Sequence, residues 1–248
     1  MLKVQNLHKQ FDGVKAVNHC SFEVEEGSIT GLIGPNGAGK TTTFDLISGL
    51  MKPTEGHIHI KGEDMTKWPA HKRAQAGIGR TFQAIRIFPE MKAVDNIIVA
   101  FPNHPDKLRN VFTPTRKKRK ALEAKAMKLL KDVGIADKAH LNAGNLSYGQ
   151  KKLLEIARAV ATGADFIMLD EPAAGINLTL LNQIRDYILK LNKEGKTFFI
   201  VEHNMQFIMD ISDKIVVMDQ GQEIAIGKPE EIQNNPRVIE AYLGKKNE

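Results

Sequence analysis

Residues 34–41 read Gly34-Pro35-Asn36-Gly37-Ala38-Gly39-Lys40-Thr41, three glycines and a proline crowded into six positions ahead of a lysine. An apolar run (ITGLI, 29–33) precedes this soft stretch and a helical pattern follows it. The spacing G-x-x-x-x-G-K-[ST] gives each part a task. The glycines let successive N–H groups turn inward as a nest for phosphate oxygens, and the helix behind them adds the positive end of its dipole. Lys40 supplies a point charge for β- and γ-phosphates, and the Thr41 hydroxyl suits Mg²⁺. With Thr42 next in line, Gly34 to Thr42 form the candidate triphosphate site. A plain glycine turn beside a chance lysine would leave the strand before it and the helix after it unexplained.

FIMLDEP (166–172) sets Asp170 and Glu171 at the C-terminal end of an apolar run, where α/β sheets place their ligands. Hydrolysis of Mg·ATP needs one carboxylate for the metal's water shell and another to orient and deprotonate the attacking water. Neighbours at a strand end point in different directions and can divide those tasks. Asp170 is the expected metal-shell residue and Glu171 the expected general base. FFIVEH (198–203) ends a second apolar run in His203, from where an imidazole would reach a γ-phosphate as donor. A lone histidine is ordinarily a packing residue; the two motifs upstream favour the chemical reading here.

Three loop ends can meet only on a scaffold that gathers them. Alternation around Phe22 and Val24 predicts an early antiparallel strand ended by Glu25-Glu26-Gly27-Ser28. KTTTFDLISGL (40–50) predicts a helix closed at Gly49. The runs 166–169, 198–201 and 215–218 are apolar without alternation, as in parallel strands covered by helices on both faces. Between residues 89 and 160 the sequence turns Ala-, Lys- and Leu-rich, and RKALEAKAMKLLKDVG (119–134) predicts a helix with a glycine cap at Gly134. The expected fold is α/β, a single 248-residue domain. Its nucleotide-binding core with an N-terminal antiparallel β subdomain takes residues 1–88 and 161–248, and a helical subdomain is inserted at 89–160.

Bulk composition narrows the setting. The chain is 42% hydrophobic and 26% charged, ordinary for a globular protein with a sizeable core. No apolar stretch approaches a membrane span and no signal-peptide pattern opens the chain, which suggests an intracellular location. The single cysteine, Cys20, excludes an internal disulfide and a cysteine-rich metal site. A formal charge of +6 is modest, and its local concentration, TRKKRK (115–120), is ordinarily a solvated helix end. A surface for anionic lipid or a partner is the other reading of that run.

LSYGQ (146–150) precedes KKLLEIARAVA, and Ser147 with Gln150 fits a capping box at a helix start. Such a terminus suits a phosphate, and Gly149 permits close approach. Because Gly34 to Thr42 already serve one side of a nucleotide, the simplest use is a second copy's ATP in a head-to-tail dimer. Here the sequence resembles the ATP-binding cassette (ABC) family, whose signature motif LSYGQ is similar to and whose order of motifs it follows.

That resemblance implies a P-loop NTPase core of RecA-like type with a mainly parallel sheet, ATP and Mg²⁺ as cofactors, and further site residues. Gln83 in GRTFQ resembles the glutamine that senses Mg²⁺ and the γ-phosphate, Phe11 the aromatic on which adenine stacks, and Val17 its apolar neighbour. Ser147 and Gly149 would serve the opposite protomer's ATP, and Mg²⁺ would be held by Thr41, Gln83 and Asp170. AAGIN (173–177) resembles the segment that touches the other site, with Asn177 where much of the family has aspartate.

Within the family, GRTFQAIRIFPEM, NLSYGQKKLLEIARAVAT, DEPAAGIN, VEHNMQFIMDISDKIVVM and the ending GKPEEIQNNPRVIEAYLG are similar to the G-type ATP-binding subunit of branched-chain amino acid importers. The implied partners are multi-span permease subunits and a second ATPase subunit, a copy of this chain or an F-type paralogue, with a solute-binding protein acting indirectly. The implied location is the cytoplasmic face of the membrane. The groove near Gln83 and residues 84–92 would receive the permeases. The ATPase of lipopolysaccharide export is a related alternative, as is a soluble cassette ATPase serving assembly or nucleic acid. The chain lacks the long inserted coiled coil and the fused second cassette of the nucleic-acid forms, so nucleic acid is not an expected partner.

Overall fold

A computed structural model describes residues 1–102 and 116–243. Thr115, the first residue of the basic run, and Gly244, the last of the C-terminal segment noted above, lie outside the described residues.

Two sheets organise the chain. The first is antiparallel, built from β1 (Leu2–Phe11), β2 (Val14–Val24), β4 (Glu55–Ile60) and β5 (Glu63–Asp64) in the order β2-β1-β4-β5. Asp12 and Gly13 join β1 to β2, both with positive φ (43° and 91°), as a two-residue hairpin turn requires. The second sheet contains β3 (Ile29–Ile33), β6 (Ile78–Arg80), β7 (Phe166–Asp170), β8 (Thr197–Val201), β9 (Lys214–Asp219) and β10 (Gln222–Gly227). Its order is β10-β9-β3-β8-β7-β6, and only β10 runs antiparallel to its neighbour.

Every residue of β3, β7 and β8 is buried, which explains why these strands read as unbroken apolar runs. Helices α1 (Lys40–Ser48), α2 (Ala70–Gln75), α6 (Leu178–Lys193), α7 (Met205–Ile211), α8 (Pro229–Gln233) and α9 (Pro236–Leu243) accompany the sheets. Between β6 and β7 the chain runs through α3 (Ala93–Ile98), α4 (Arg116–Asp132) and α5 (Tyr148–Ala161), with two single 3₁₀ turns before α5. These three helices contact one another and share a core in which Val94, Ile97, Ala126, Leu130, Leu153 and Leu154 are buried. Helix α4 ends as its glycine suggested: Gly134 adopts φ 75° and the Ile135 N–H returns to the Leu130 carbonyl.

The helix that follows the glycine loop is fixed from both ends. Phe44 of α1 stacks on Phe199 of β8, and Phe22 of β2 stacks on the same ring, at centroid distances of 5.8 and 5.6 Å. One phenyl ring thereby locks the antiparallel sheet, α1 and the parallel sheet together. At the far end, the buried Arg73 guanidinium donates to the carbonyls of Leu46 and Ile47 in the last turn of α1 and to those of Thr66 and Trp68. At the helix end it supplements the Gly49 N–H on Leu46 and meets the Ile47 carbonyl, one of those a last turn leaves without an intrahelical partner.

Candidate active site

Strands β3, β8 and β7 are consecutive neighbours, so their C-terminal ends lie roughly 5 Å apart in succession. The glycine loop leaves β3, His203 follows β8, and Asp170 ends β7 with Glu171 directly after it. The sheet order alone therefore brings the three sequence motifs to one edge.

At the first of these, Gly39 caps α1 with φ 95°, and a Cβ there would lie 2.3 Å from the Ala16 carbonyl oxygen. Only glycine fits this position. Lys40 Nζ donates to the carbonyls of Gly34 (2.8 Å) and Pro35 (2.9 Å), so the ammonium sits inside the loop it belongs to. Burial draws the Lys40 pKa down, and nearby Glu171 opposes that shift.

At the second, Asp170 is the last residue of β7, and its N–H donates to the Thr81 hydroxyl. Its carboxylate lies 3.5 Å from Arg80 Nη2, which also holds Asp45 of α1 at 2.6 Å. Burial raises the Asp170 pKa, Arg80 lowers it, and Glu171 and Asp45 raise it again. Glu171 does not continue the strand. It turns into the left-handed region with φ 47°, rare for a residue with a Cβ and concentrated at functional positions. That turn, beyond the alternation of a strand, is what separates the direction of its side chain from that of Asp170.

At the third, His203 Nε2 lies 3.0 Å from Glu171 Oε1. The preceding residue, Glu202, is 2% exposed. Its carboxylate accepts the N–H groups of Ala173 (2.6 Å), His203 (2.9 Å) and Asn204 (3.1 Å), pinning the segment after Glu171 to the segment carrying His203.

A cleft of about 560 Å³ opens over these groups, a size usual for small-molecule sites. Asn36, Gly37, Ala38, Gly39, Lys40, Thr41, Thr42, Gln83, Glu171 and His203 line it. Val14, Lys15, Ala16 and Gln220, which the motifs did not single out, line it as well. Gly34 lies deeper, a Cβ there meeting the Met218 carbonyl at 2.1 Å, and Pro35 faces α9 across a neighbouring cavity.

Two expected nucleotide contacts are placed differently. Val17 is fully buried in the core below the antiparallel sheet and takes no part in the cleft; Val14, 68% exposed, is the apolar residue at its rim. Phe11 is exposed beyond the lining residues, with Lys9 Nζ 5.1 Å from its ring centroid. The register shifts between Leu7 and Gln10 explain the difference at Val17, because each bulge resets which face a side chain takes.

Ser147 and Gly149 do not line the cleft of their own chain. The capping box is formed: Gln150 N–H donates to Ser147 Oγ, and Ser147 N–H to Gln150 Oε1. Gly149 has a neighbour that the sequence did not suggest, since a Cβ on it would lie 2.2 Å from Leu180 Cδ1 in the first turn of α6. Its missing side chain is needed for that contact inside the chain.

The oxygen donors Thr41, Gln83 and Asp170 have the chemistry of a Mg²⁺ site. Among the described residues no three acidic or histidine side chains gather as a metal cage. Thr41 and Gln83 line the cleft, whereas Asp170 is buried beneath it beside Arg80.

Comparison with known proteins decides the family. A family described as "ABC transporter" matches residues 17–174, and one described as "Branched-chain amino acid ATP-binding cassette transporter" matches residues 222–246. The chain belongs to the ABC transporter family.

Among relatives of this cassette, the high-affinity branched-chain amino acid transport ATP-binding protein BraF of Pseudomonas aeruginosa is 44% identical, over 98% of each chain. The corresponding protein LivG of Salmonella typhimurium is 42% identical over 98% of each. The lipopolysaccharide export system ATP-binding protein LptB of Haemophilus influenzae is 35% identical, over 98% of this chain and 97% of its own. In fold, the cassette is similar to a crystal structure of a nucleotide-free ATP-binding cassette from an ABC transporter. The TM-score is 0.86 at 34% identity, over 99% of both chains. An ABC cassette binds nucleotide and couples ATP hydrolysis to transport. No helix among the described residues is long and apolar enough to cross a membrane.

Proposed function

We propose that this cassette is the ATP-hydrolysing subunit that powers uptake of branched-chain amino acids through partner permeases. The observation that carries the catalytic part is the Glu171–His203 pair at the mouth of the cleft, beside Lys40 and Thr41. The near full-length identity to BraF and LivG supports the transported class.

ATP enters with its phosphates against the N–H groups of residues 36–42 and the N-terminus of α1. Lys40 meets the β- and γ-phosphates. Thr41, Gln83 and Asp170 would hold Mg²⁺, which when bound neutralises charge developing on the phosphate oxygens. Glu171 orients a water in line with the γ-phosphorus and takes its proton as the O–P bond forms and ADP leaves. His203 donates to a γ-phosphate oxygen.

The first turn of α5, with Ser147 and Gly149, faces the ATP of a second cassette, a copy of this chain or an F-type paralogue. Two cassettes closing around two ATP molecules and reopening after hydrolysis bias the permeases between inward- and outward-facing states. The permeases dock in the cavity of about 580 Å³ lined by Phe82, Arg86, Phe88, Glu155 and Arg158, beside Gln83. The cassette is thereby held peripherally on the cytoplasmic face of the membrane.

Glu171→Gln removes the base and leaves the ATP site, so ATP-trapped complexes should accumulate. Tagged Glu171→Gln protein is loaded with Mg·ATP, drawn from gently solubilised membranes, and its companions identified by mass spectrometry. Two multi-span permeases and a second cassette, with leucine-stimulated ATPase activity in the wild-type complex, are expected. Permeases of lipopolysaccharide-export type would move the answer to lipid transport. Soluble companions alone would overturn the transport reading.

A further inference from the structure

Lys152 is 3% exposed on the second turn of α5, five positions after Ser147. Buried lysines are rare, and burial draws this one's pKa down. Leu153 and Leu154 beside it are ordinary core residues, so an apolar side chain at 152 would suit the surroundings better unless the ammonium has work to do. Four carboxylates, Glu155, Glu202, Glu171 and Asp170, oppose the shift and mark where the charge points.

Its bond is specific. Lys152 Nζ donates to the main-chain carbonyl of Glu171 at 2.6 Å. The same residue's N–H donates to the Val201 carbonyl at 2.9 Å, and its carbonyl also accepts from the Ala174 N–H at 3.2 Å. Glu171 holds its left-handed conformation between these contacts while its carboxylate meets His203. Of the groups that hold the Glu171 backbone, Lys152 alone comes from the helix whose first turn carries Ser147 and Gly149.

We propose that Lys152 is a positioning residue for hydrolysis: its ammonium holds the Glu171 peptide in the conformation that aims the carboxylate into the cleft, and joins that aim to the signature end of α5. The proposal rests on Glu171 being the general base. It adds that the base is set by a contact from the helix serving the opposite site. A small misplacement of a catalytic group costs a large factor in rate.

The test uses the full-length protein and the variants Lys152→Met, close in length without the donor, and Lys152→Arg, which keeps a donor. Lys152→Met is expected to lower kcat by about 10–100-fold, with KM for ATP and thermal midpoint nearly unchanged and part of the rate recovered in Lys152→Arg. Placed on Glu171→Gln, the same change should lower residual single-turnover hydrolysis no further, because both act through one carboxylate. Full turnover in Lys152→Met, or an undiminished loss on the Glu171→Gln background, overturns the proposal. If Lys152→Met does not fold, Lys152→Gln is read by the same criteria. Wild-type turnover in Glu171→Gln would instead overturn the general-base reading beneath it.

Discussion

His203 Nε2 and Glu171 Oε1 stand 3.0 Å apart, joining the donor expected at the γ-phosphate to the carboxylate expected at the attacking water. The two groups face the same cleft from adjacent strands, β8 and β7. A γ-phosphate that draws the imidazole N–H toward itself leaves the carboxylate free to accept a proton from water.

His203→Ala removes the phosphate donor and the partner of Glu171 together. It should lower kcat by about 10²–10³-fold, with a much smaller change in ATP affinity. Steady-state hydrolysis beside equilibrium nucleotide binding checks this, and equal losses in kcat and affinity would count against the role.

The composite site can be tested by mixing. A chain with Ser147→Arg keeps its glycine loop, and a chain with Lys40→Ala keeps its signature turn. Each is expected to be inactive alone. A mixed dimer contains one intact pairing, so combining them should restore hydrolysis. A cleft complete within one chain would show no recovery on mixing.

Arg73 is a stability prediction independent of chemistry. Arg73→Met leaves the buried Ile47 carbonyl without its guanidinium donor and the Leu46 carbonyl with the Gly49 N–H alone, and removes the donors to Thr66 and Trp68 as well. Each unsatisfied buried group costs roughly 1–3 kcal/mol, so the variant should lose about 3 kcal/mol or more in denaturant unfolding. Arg73→Lys recovers little, because one ammonium cannot span four carbonyls.

Burial raises the pKa values of Glu155 and Glu202 above the ordinary carboxylate value of 4.5, against opposing backbone N–H bonds. A raised folded-state pKa means that the folded chain binds protons more tightly than the unfolded chain. The stability this linkage contributes is therefore full below pH 4.5 and lost as pH rises through the folded-state values. Replacing Glu202 with Gln should flatten that part of the stability–pH curve, measured by denaturant midpoints at successive pH values. A steeper curve would contradict the direction.

The parts of the site legible in the sequence were those whose meaning is local. Gly34 to Thr42 carry their conformation in their own residue types, and FIMLDEP announces a buried strand with acids at its end. Ser147 and Gln150 cap α5 through a three-residue spacing that needs no tertiary knowledge. Val17 and Val14 were not separable because β2 carries an extra residue between its Leu7–Cys20 and Lys9–Val17 pairs, which breaks the period-two count running back from Phe22. Glu202 and Lys152 were invisible for another reason. Glu202 acts on N–H groups at the starts of two different loops, and Lys152 on a carbonyl 19 positions away. Side chains that bond main chain across elements leave no spacing to read. The left-handed turn at Glu171 was equally silent, since nothing in Leu-Asp-Glu-Pro demands it.

The close seating of Leu180 against Gly149 has a thermodynamic consequence. Leu180 belongs to the turn of α6 capped by Asn177, whose side chain accepts the Leu180 N–H, and this turn follows directly from Glu171 through residues 172–176. In the proposed dimer, the turn offered to a neighbour's nucleotide would therefore pack against the segment that leads from the chain's own proposed base. Coupling carried by this contact would be reciprocal, occupancy of either site changing the affinity of the other by the same factor. Nucleotide binding to the paired cassettes should be cooperative, with a Hill coefficient above one that falls when Leu180 is cut back to alanine.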